Sequence, residues 1–166
     1  MEKDAEKTHI AAQVEQLAQR LKERKLRLAT AESCTGGWIA KVCTDQAGSS
    51  AWFECGFVSY SNSAKEAMLG VSDISIRQYG AVSEQVVEEM AHGAISRSEA
   101  NVSIAISGIA GPEGGTPDKP VGTVCFAWGV PGKAIKTTSE VFAGDREAVR
   151  AQAVHFALQA LNKLLA

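Results

Sequence analysis

The sequence predicts an α/β fold: a single-domain, three-layer α/β/α sandwich built on a mixed, mostly parallel sheet. Three observations carry that prediction. Short apolar or β-branched runs alternate with segments of helical periodicity through much of the 166-residue chain, the order that layers helices on a sheet. Two of these runs end in glycine-rich turns, as strands do when they feed ligand-binding loops at a sheet edge. Near the carboxyl terminus, two further runs are joined by Pro131-Gly132, a turn signal that reads as an antiparallel hairpin.

Ile10, Val14, Leu17 and Leu21 recur at helical spacing among charged residues and predict an amphipathic helix over about 9–23, laid on the sheet. Residues 1–8 are assigned to a frayed terminus and 9–166 to the single domain. Lys25 to Thr30 reads as a strand and Gly37 to Asp45 as a helix that exits at Ala47-Gly48-Ser49-Ser50. Gly56 to Tyr60, rich in aromatic and β-branched residues, is the second strand, followed by a helix over Ser63 to Leu69. Ser83 is placed to cap a helix running to about Ser98, with Val86, Val87, Met90, Ala91, Ala94 and Ile95 on its buried stripe. Val102, Ile104 and Ile106 alternate with Ser103, Ala105 and Ser107, the pattern of a strand with small residues under a closely packed helix. A long glycine-rich loop, Ser107 to Gly115 and on to Gly122, separates it from Thr123 to Val130, which is apolar on both faces like a central strand. Ala134 to Phe142 completes the hairpin. Asp145 then caps a closing helix whose inner face carries Val149, Ala153, Phe156, Ala157, Ala160, Leu161 and Leu164.

Composition narrows the function classes. The 17 basic and 19 acidic residues are mixed along the chain and leave a formal charge of -2, which is no footprint for nucleic acid. Cys34, Cys43, Cys55 and Cys125 lack C-x-x-C spacing, and His9, His92 and His155 are scattered, so neither a zinc site nor a disulfide framework is suggested. Reduced thiols in a cytoplasmic protein are the default. The first residues are charged and no run approaches ~18 apolar residues, so the expectation is a chain that is neither exported nor membrane-spanning.

The richest segment is Ala31-Glu32-Ser33-Cys34-Thr35-Gly36-Gly37. A strand turning sharply into a helix projects Ser33 at the sheet's carboxyl edge and lets a ligand approach the backbone amides of Thr35, Gly36 and Gly37. Tyr60, at the next strand end, and the loop carrying Ser107, Gly108, Ala110 and Gly111 fall on the same edge. The two glycine-rich segments then offer two cradles, one for an oxyanion and one for a phosphate, with their assignment open. No histidine is placed to serve Ser33, but a lysine whose pKa is lowered can replace one. Lys65, just beyond the Tyr60 strand, is the candidate; its ordinary reading is a solvated helix lysine. Cys34 is the rival nucleophile, and water activated by Lys65 or Tyr60 is a third route. Arg146, at the start of the last helix, is a candidate phosphate partner, and Trp52 and Phe53 are an aromatic pair that could stack on a ligand or equally be a hydrophobic plug.

Five segments, Ala31 to Gly37, Gly48 to Phe53, Val58 to Lys65, Gly80 to Ser83 and Ser107 to Pro112, in this order and spacing, resemble the CinA carboxyl-terminal domain family. Lys119 to Thr123 and Gly144 to Arg146 extend the resemblance over nearly the whole chain. The family includes nicotinamide-nucleotide amidohydrolases, which convert nicotinamide mononucleotide and water to nicotinate mononucleotide and ammonia. The resemblance therefore implies pyridine-nucleotide salvage, Ser33 as nucleophile, Lys65 as general base, Tyr60 as an orienting hydroxyl or proton shuttle, no cofactor, and a homo-oligomer, a dimer first. The alternative is a non-catalytic nucleotide-binding or interaction domain, which would have no use for a lysine of lowered pKa.

Overall fold

In the computed structural model, which describes residues 1–166, five strands form one sheet of order β2-β1-β3-β4-β5. They are β1 (Leu28–Glu32), β2 (Phe53–Val58), β3 (Val102–Gly108), β4 (Thr123–Gly129) and β5 (Lys136–Val141). β1 is parallel to both β2 and β3, β4 runs against β3, and β5 runs against β4. Four strands therefore point one way and β4 opposes them. Parallel neighbours need a long crossover, and the Pro131-Gly132 turn between β4 and β5 leaves room only for a hairpin.

Helices α1 (Glu2–Glu23), α2 (Trp38–Thr44) and α6 (Arg146–Leu164) cover one face, and α3 (Asn62–Leu69), α4 (Asp73–Tyr79) and α5 (Glu84–Ser96) the other. The two faces differ in the size of what they bury. Leu28, Ile104, Ile106, Phe126 and Trp128 join Leu17, Leu21 and Leu158 in the larger core. The α5 side of the same strands carries Ala29, Ala31, Ala105 and Ala127 beneath Val87, Met90 and Ala94. Small side chains on that face let α5 lie close to the sheet. Crowding continues one layer out: a Cβ on Gly93 of α5 would sit 2.0 Å from the Leu69 carbonyl oxygen of α3.

Several elements differ from the sequence prediction. The first helix begins at Glu2 rather than near His9, so the segment assigned to a frayed terminus is helical, and Lys3 reaches Glu147 at 2.9 Å. Rather than lying on the sheet, α1 lies along α6, where Asn162 Nδ2 donates to the Gln13 carbonyl at 2.9 Å. β1 starts later and runs through Glu32, whose carboxylate has buried partners that strand propensity does not register. β2 starts earlier than predicted, at Phe53. Helix α4 has too little apolar periodicity to be predicted and is started by Ser72, whose hydroxyl accepts from Ile74 N–H at 3.2 Å. Trp52 is wholly buried in the larger core with Phe53 packed against it, so of the two readings of this pair the structure has the hydrophobic plug.

Because four strands share a direction, the ends of β1, β2, β3 and β5 and the start of β4 meet at one edge. That edge carries the turn after β1, the Ser59-Tyr60 segment after β2, the loop after β3 and the start of α6. Asp145 fixes the last of these by accepting from Ala148 N–H at 2.9 Å.

Candidate active site

The turn after β1 is held by its own side chains. Ser33 continues the sheet ladder, its N–H donating to the Ile106 carbonyl at 3.0 Å, and its carbonyl accepts from Gly36 N–H at 3.0 Å. The reversal needs left-handed backbone at Gly36 (φ 59°) and Gly37 (φ 98°), which glycine adopts without a Cβ clash. Glu32 is fully buried, and its carboxylate accepts from Thr35 Oγ1 at 2.6 Å, Ile39 N–H at 2.9 Å and Ala40 N–H at 3.1 Å. The Glu32 carboxylate therefore caps the start of α2, satisfying two amides that a helix start leaves open. Thr35 is buried with its hydroxyl on Glu32, and Thr35, Gly36 and Gly37 line a groove between α1, α2 and α6 instead of the cleft beside Ser33. These three are the predicted binding residues that the fold does not bring to the Ser33 side.

The others converge. Ser33, Cys34, Tyr60, Asn62, Lys65, Ala81, Val82, Ser107, Gly108, Ala110 and Arg146 line a cleft of about 230 Å³. Gly111 lies on its rim, its carbonyl accepting from Arg146 Nη1 at 2.9 Å. Arg146 Nη2 lies 3.3 Å from the Tyr60 hydroxyl, so the phenol is turned to the mouth of the cleft while the Tyr60 backbone faces inward. A Cβ on Gly108 would come within 2.7 Å of Val124 Cγ2 and 3.1 Å of Cys34 Sγ, so glycine there lets the end of β3 pack closely against both side chains.

Lys65 enters this cleft from α3 and is only 1% exposed. Its Nζ lies 3.0 Å from Ser33 Oγ, 3.1 Å from the Ser59 carbonyl oxygen and 3.0 Å from that of Tyr60. No carboxylate pairs with it. Burial lowers its pKa from the ordinary 10.5, and the contribution that opposes the shift is the charge of a Cys34 thiolate. That opposing charge is missing near neutral pH, because burial pushes the Cys34 thiol up to about 12. A neutral amine has two N–H donors and one lone pair; here the two carbonyls take the donors and the lone pair is left for the Ser33 hydroxyl. When the amine is charged, the Ser33 hydroxyl has a second acceptor in the Tyr60 carbonyl, at 3.3 Å.

Cys34 is as buried as Ser33, which is 7% exposed, and lines the same cleft, so the difference between them lies in the state of the side chain. The Cys34 side chain is 6% exposed and its thiol stays protonated, since desolvation outweighs the nearby Arg150 charge. The Cys34 N–H donates to no protein acceptor. The carbonyls of Cys34 and Thr35 both accept from Arg150 of α6, at 3.0 Å to Nε and 3.3 Å to Nη2. Glu32, Ser59, Asn62 and Arg150 were not singled out from the sequence. Asn62 sits inside the Val58–Lys65 segment, a signal that could have found it, whereas nothing local marks Arg150.

Comparison with known proteins agrees with this architecture. The chain is 58% identical over 147 residues to nicotinamide-nucleotide amidohydrolase PncC of Escherichia coli (strain K12), covering 89% of each chain. It is 51% identical over 148 residues to the protein of the same name from Pseudomonas putida, covering 89% of this chain and 92% of that one. The crystal structure of competence/damage inducible protein CihA from Agrobacterium tumefaciens superposes with a TM-score of 0.92 at 40% identity, over 95% of this chain and 96% of that one. The model of the CinA C-terminal domain matches residues 10–165, and the chain belongs to that family.

Proposed function

We propose that the protein hydrolyses the carboxamide of nicotinamide mononucleotide to nicotinate mononucleotide and ammonia, with Ser33 as nucleophile and Lys65 as base. The observation that carries the reading is the buried Lys65 amine 3.0 Å from Ser33 Oγ with two backbone carbonyls as its other partners. The likeness to amidohydrolases at 58% identity supports the substrate class.

In this reading the neutral Lys65 amine takes the Ser33 hydroxyl proton as Oγ attacks the carboxamide carbon. The tetrahedral oxygen gains negative charge, and the Cys34 N–H, beside the nucleophile and free of any protein acceptor, is the donor for it. The Lys65 ammonium then gives its proton to the amide nitrogen, the C–N bond breaks and ammonia leaves, with the acyl group as an ester on Ser33. Water attacks the ester, Lys65 takes its proton, and the C–O bond breaks as Lys65 returns that proton to Ser33 Oγ. Arg146, Ser107, Gly108, Ala110 and Gly111 bind the nucleotide, with Arg146 the partner for its phosphate. Tyr60 orients Arg146 through its hydroxyl and Lys65 through its carbonyl. The same reading carries a cytoplasmic homo-oligomer, the dimer first, which light scattering on the purified protein tests.

Ammonia release from nicotinamide mononucleotide in EDTA, by wild type and by Ser33→Ala, Lys65→Ala and Cys34→Ala, tests the reading. Activity lost in the first two variants and kept in the third is the expected result. A well-folded wild type that binds the nucleotide without turning it over would point to a binding domain instead.

A further inference from the structure

Arg150 lies one helical turn beyond Arg146 on α6, so both side chains leave the same face of that helix. They do different things. Arg146 reaches the cleft, whereas Arg150 stays on the far side of the turn, in the groove between α1, α2 and α6, and does not line the cleft. There its guanidinium stacks over Trp38, 5.5 Å from the ring centroid, and donates to the carbonyls of Cys34 and Thr35. Trp38 opens α2, and α2 is anchored in turn by Glu32. The guanidinium is thus fixed on a rigid platform, with its planar fork on two successive carbonyls.

Both peptide planes flanking Cys34 are consequently held. The Ser33–Cys34 plane is fixed by Gly36 N–H on the Ser33 carbonyl, and the Cys34–Thr35 plane by Arg150 on the Cys34 carbonyl. In a trans peptide the N–H points opposite to the carbonyl. The Cys34 N–H is therefore directed away from the Gly36 amide that holds the Ser33 carbonyl. Cys34 is almost fully buried, and its N–H donates to nothing in the protein. Buried backbone donors left without a partner are rare in folded chains and call for an explanation.

We propose that Arg150 is a positioning residue, acting from the opposite layer of the protein: by pinning the Cys34 carbonyl it limits rotation about the Cys34 backbone, so that the Cys34 N–H, in the preceding peptide held by Gly36, stays aimed as the oxyanion donor beside Ser33. The inference rests on the amidohydrolase reading for its chemical consequence but not for its geometry. Arg150 touches neither substrate nor reacting atoms; it acts through the backbone. Lysine cannot replace it in full, because a single ammonium cannot stack on Trp38 and span two carbonyls as the planar fork does.

The test combines kinetics with a probe of the peptide itself. Cysteine labelled with ¹⁵N gives four amide signals, from Cys34, Cys43, Cys55 and Cys125, with the Cys34 signal identified by its loss in Cys34→Ser. In Arg150→Gln the Cys34 signal should shift or broaden while the other three hold their places. kcat should fall by about 10²-fold with KM within about twofold, since a misplaced catalytic group costs rate rather than ground-state binding. Arg150→Lys should be intermediate, and guanidinium chloride well below denaturing concentration should restore part of both kcat and the Cys34 signal to Arg150→Ala. A fall in KM-controlled binding alone, displacement of all four signals together, or an unmoved Cys34 signal would each overturn the proposal. If wild type itself releases no ammonia, the amidohydrolase reading fails on that arm, while the Cys34 signal in Arg150→Gln still decides whether the guanidinium holds the peptide.

Discussion

Lys65 Nζ lies 3.0 Å from Ser33 Oγ across two secondary-structure layers, and neither residue has a carboxylate partner. The contact is built by the fold rather than by local sequence. β1 and β2 are parallel neighbours, so the turn after one and the start of α3 after the other emerge side by side. Ser61 caps α3 through Ala64 N–H at 3.1 Å, which sets the first turn of the helix and aims Lys65 back over the strand ends. Burial without a counter-charge disfavours the ammonium, and the two backbone carbonyls give the neutral amine a fixed orientation.

Ser33 and Cys34 should separate cleanly under substitution. Ser33→Ala is expected to lower kcat by about 10³-fold or more, the scale of losing a nucleophile. Cys34→Ala should keep kcat within about fivefold, because its backbone N–H is unchanged, and should cost about 1–2 kcal/mol of stability through the small cavity left beside Gly108. Steady-state ammonia release and urea unfolding check the two halves. Iodoacetamide at neutral pH should leave Cys34 unmodified in the folded protein, since its thiol is buried and its pKa is pushed up to about 12.

Glu32 is expected to matter for stability before chemistry. Glu32→Ala would leave the Thr35 hydroxyl and the Ile39 and Ala40 amides without their acceptor, all of them buried or partly so. A loss of about 3 kcal/mol or more follows from several unsatisfied polar groups. Glu32→Gln keeps one oxygen acceptor but turns an amide donor toward other donors, so it should recover less than half of that loss. Chemical unfolding midpoints of the two variants against wild type measure the difference.

Glu32 and Arg150 show where sequence reasoning stops. The alternation of strands and helices, the hairpin and the caps at Ser83 and Asp145 are local patterns, and the structure contains each of them. The meeting of Ser33, Tyr60, Lys65 and the Ser107 loop was legible because all follow strand ends, and strand ends of one direction share an edge. The buried cap on α2 was not legible because a helix start looks the same whether its amides are free or already hold a buried side chain. Glu32 reads as an ordinary polar residue until the strand is seen to be covered on both faces. Arg150 is invisible for a different reason: its partners are carbonyls more than a hundred residues away, which no spacing along the chain encodes.

Packing beneath α3 should be felt at the cleft. A methyl group on Gly93 would stand 2.0 Å from the Leu69 carbonyl oxygen, so α3 and α5 must move apart for it to fit. Gly93→Ala is expected to destabilise the fold by about 1–3 kcal/mol. Because α3 also carries Lys65, kcat should fall as well, although Gly93 lies outside the cleft. Thermal unfolding and kinetics on the same preparation test both consequences.

The lowered pKa of Lys65 makes two pH predictions whose signs can be worked out. As the base must be neutral, kcat should rise with pH through the pKa of Lys65, with a midpoint below the ordinary 10.5. Lys65→Arg, which stays charged, should be inactive throughout. Stability follows by linkage. Unfolded Lys65 binds a proton up to about its ordinary pKa, whereas the folded form releases it earlier, so between the two values the unfolded state holds more protons. The cost of burying the ammonium is therefore full below the folded pKa and is relieved as pH rises from there towards 10.5. Lys65→Met removes the titrating group while keeping most of the side-chain volume. Its Tm should exceed that of wild type most at low pH, with the gap narrowing as pH climbs through that window. A gap that stays constant with pH would mean that Lys65 titrates at its ordinary value and is held as an ammonium, which would leave Ser33 without its base.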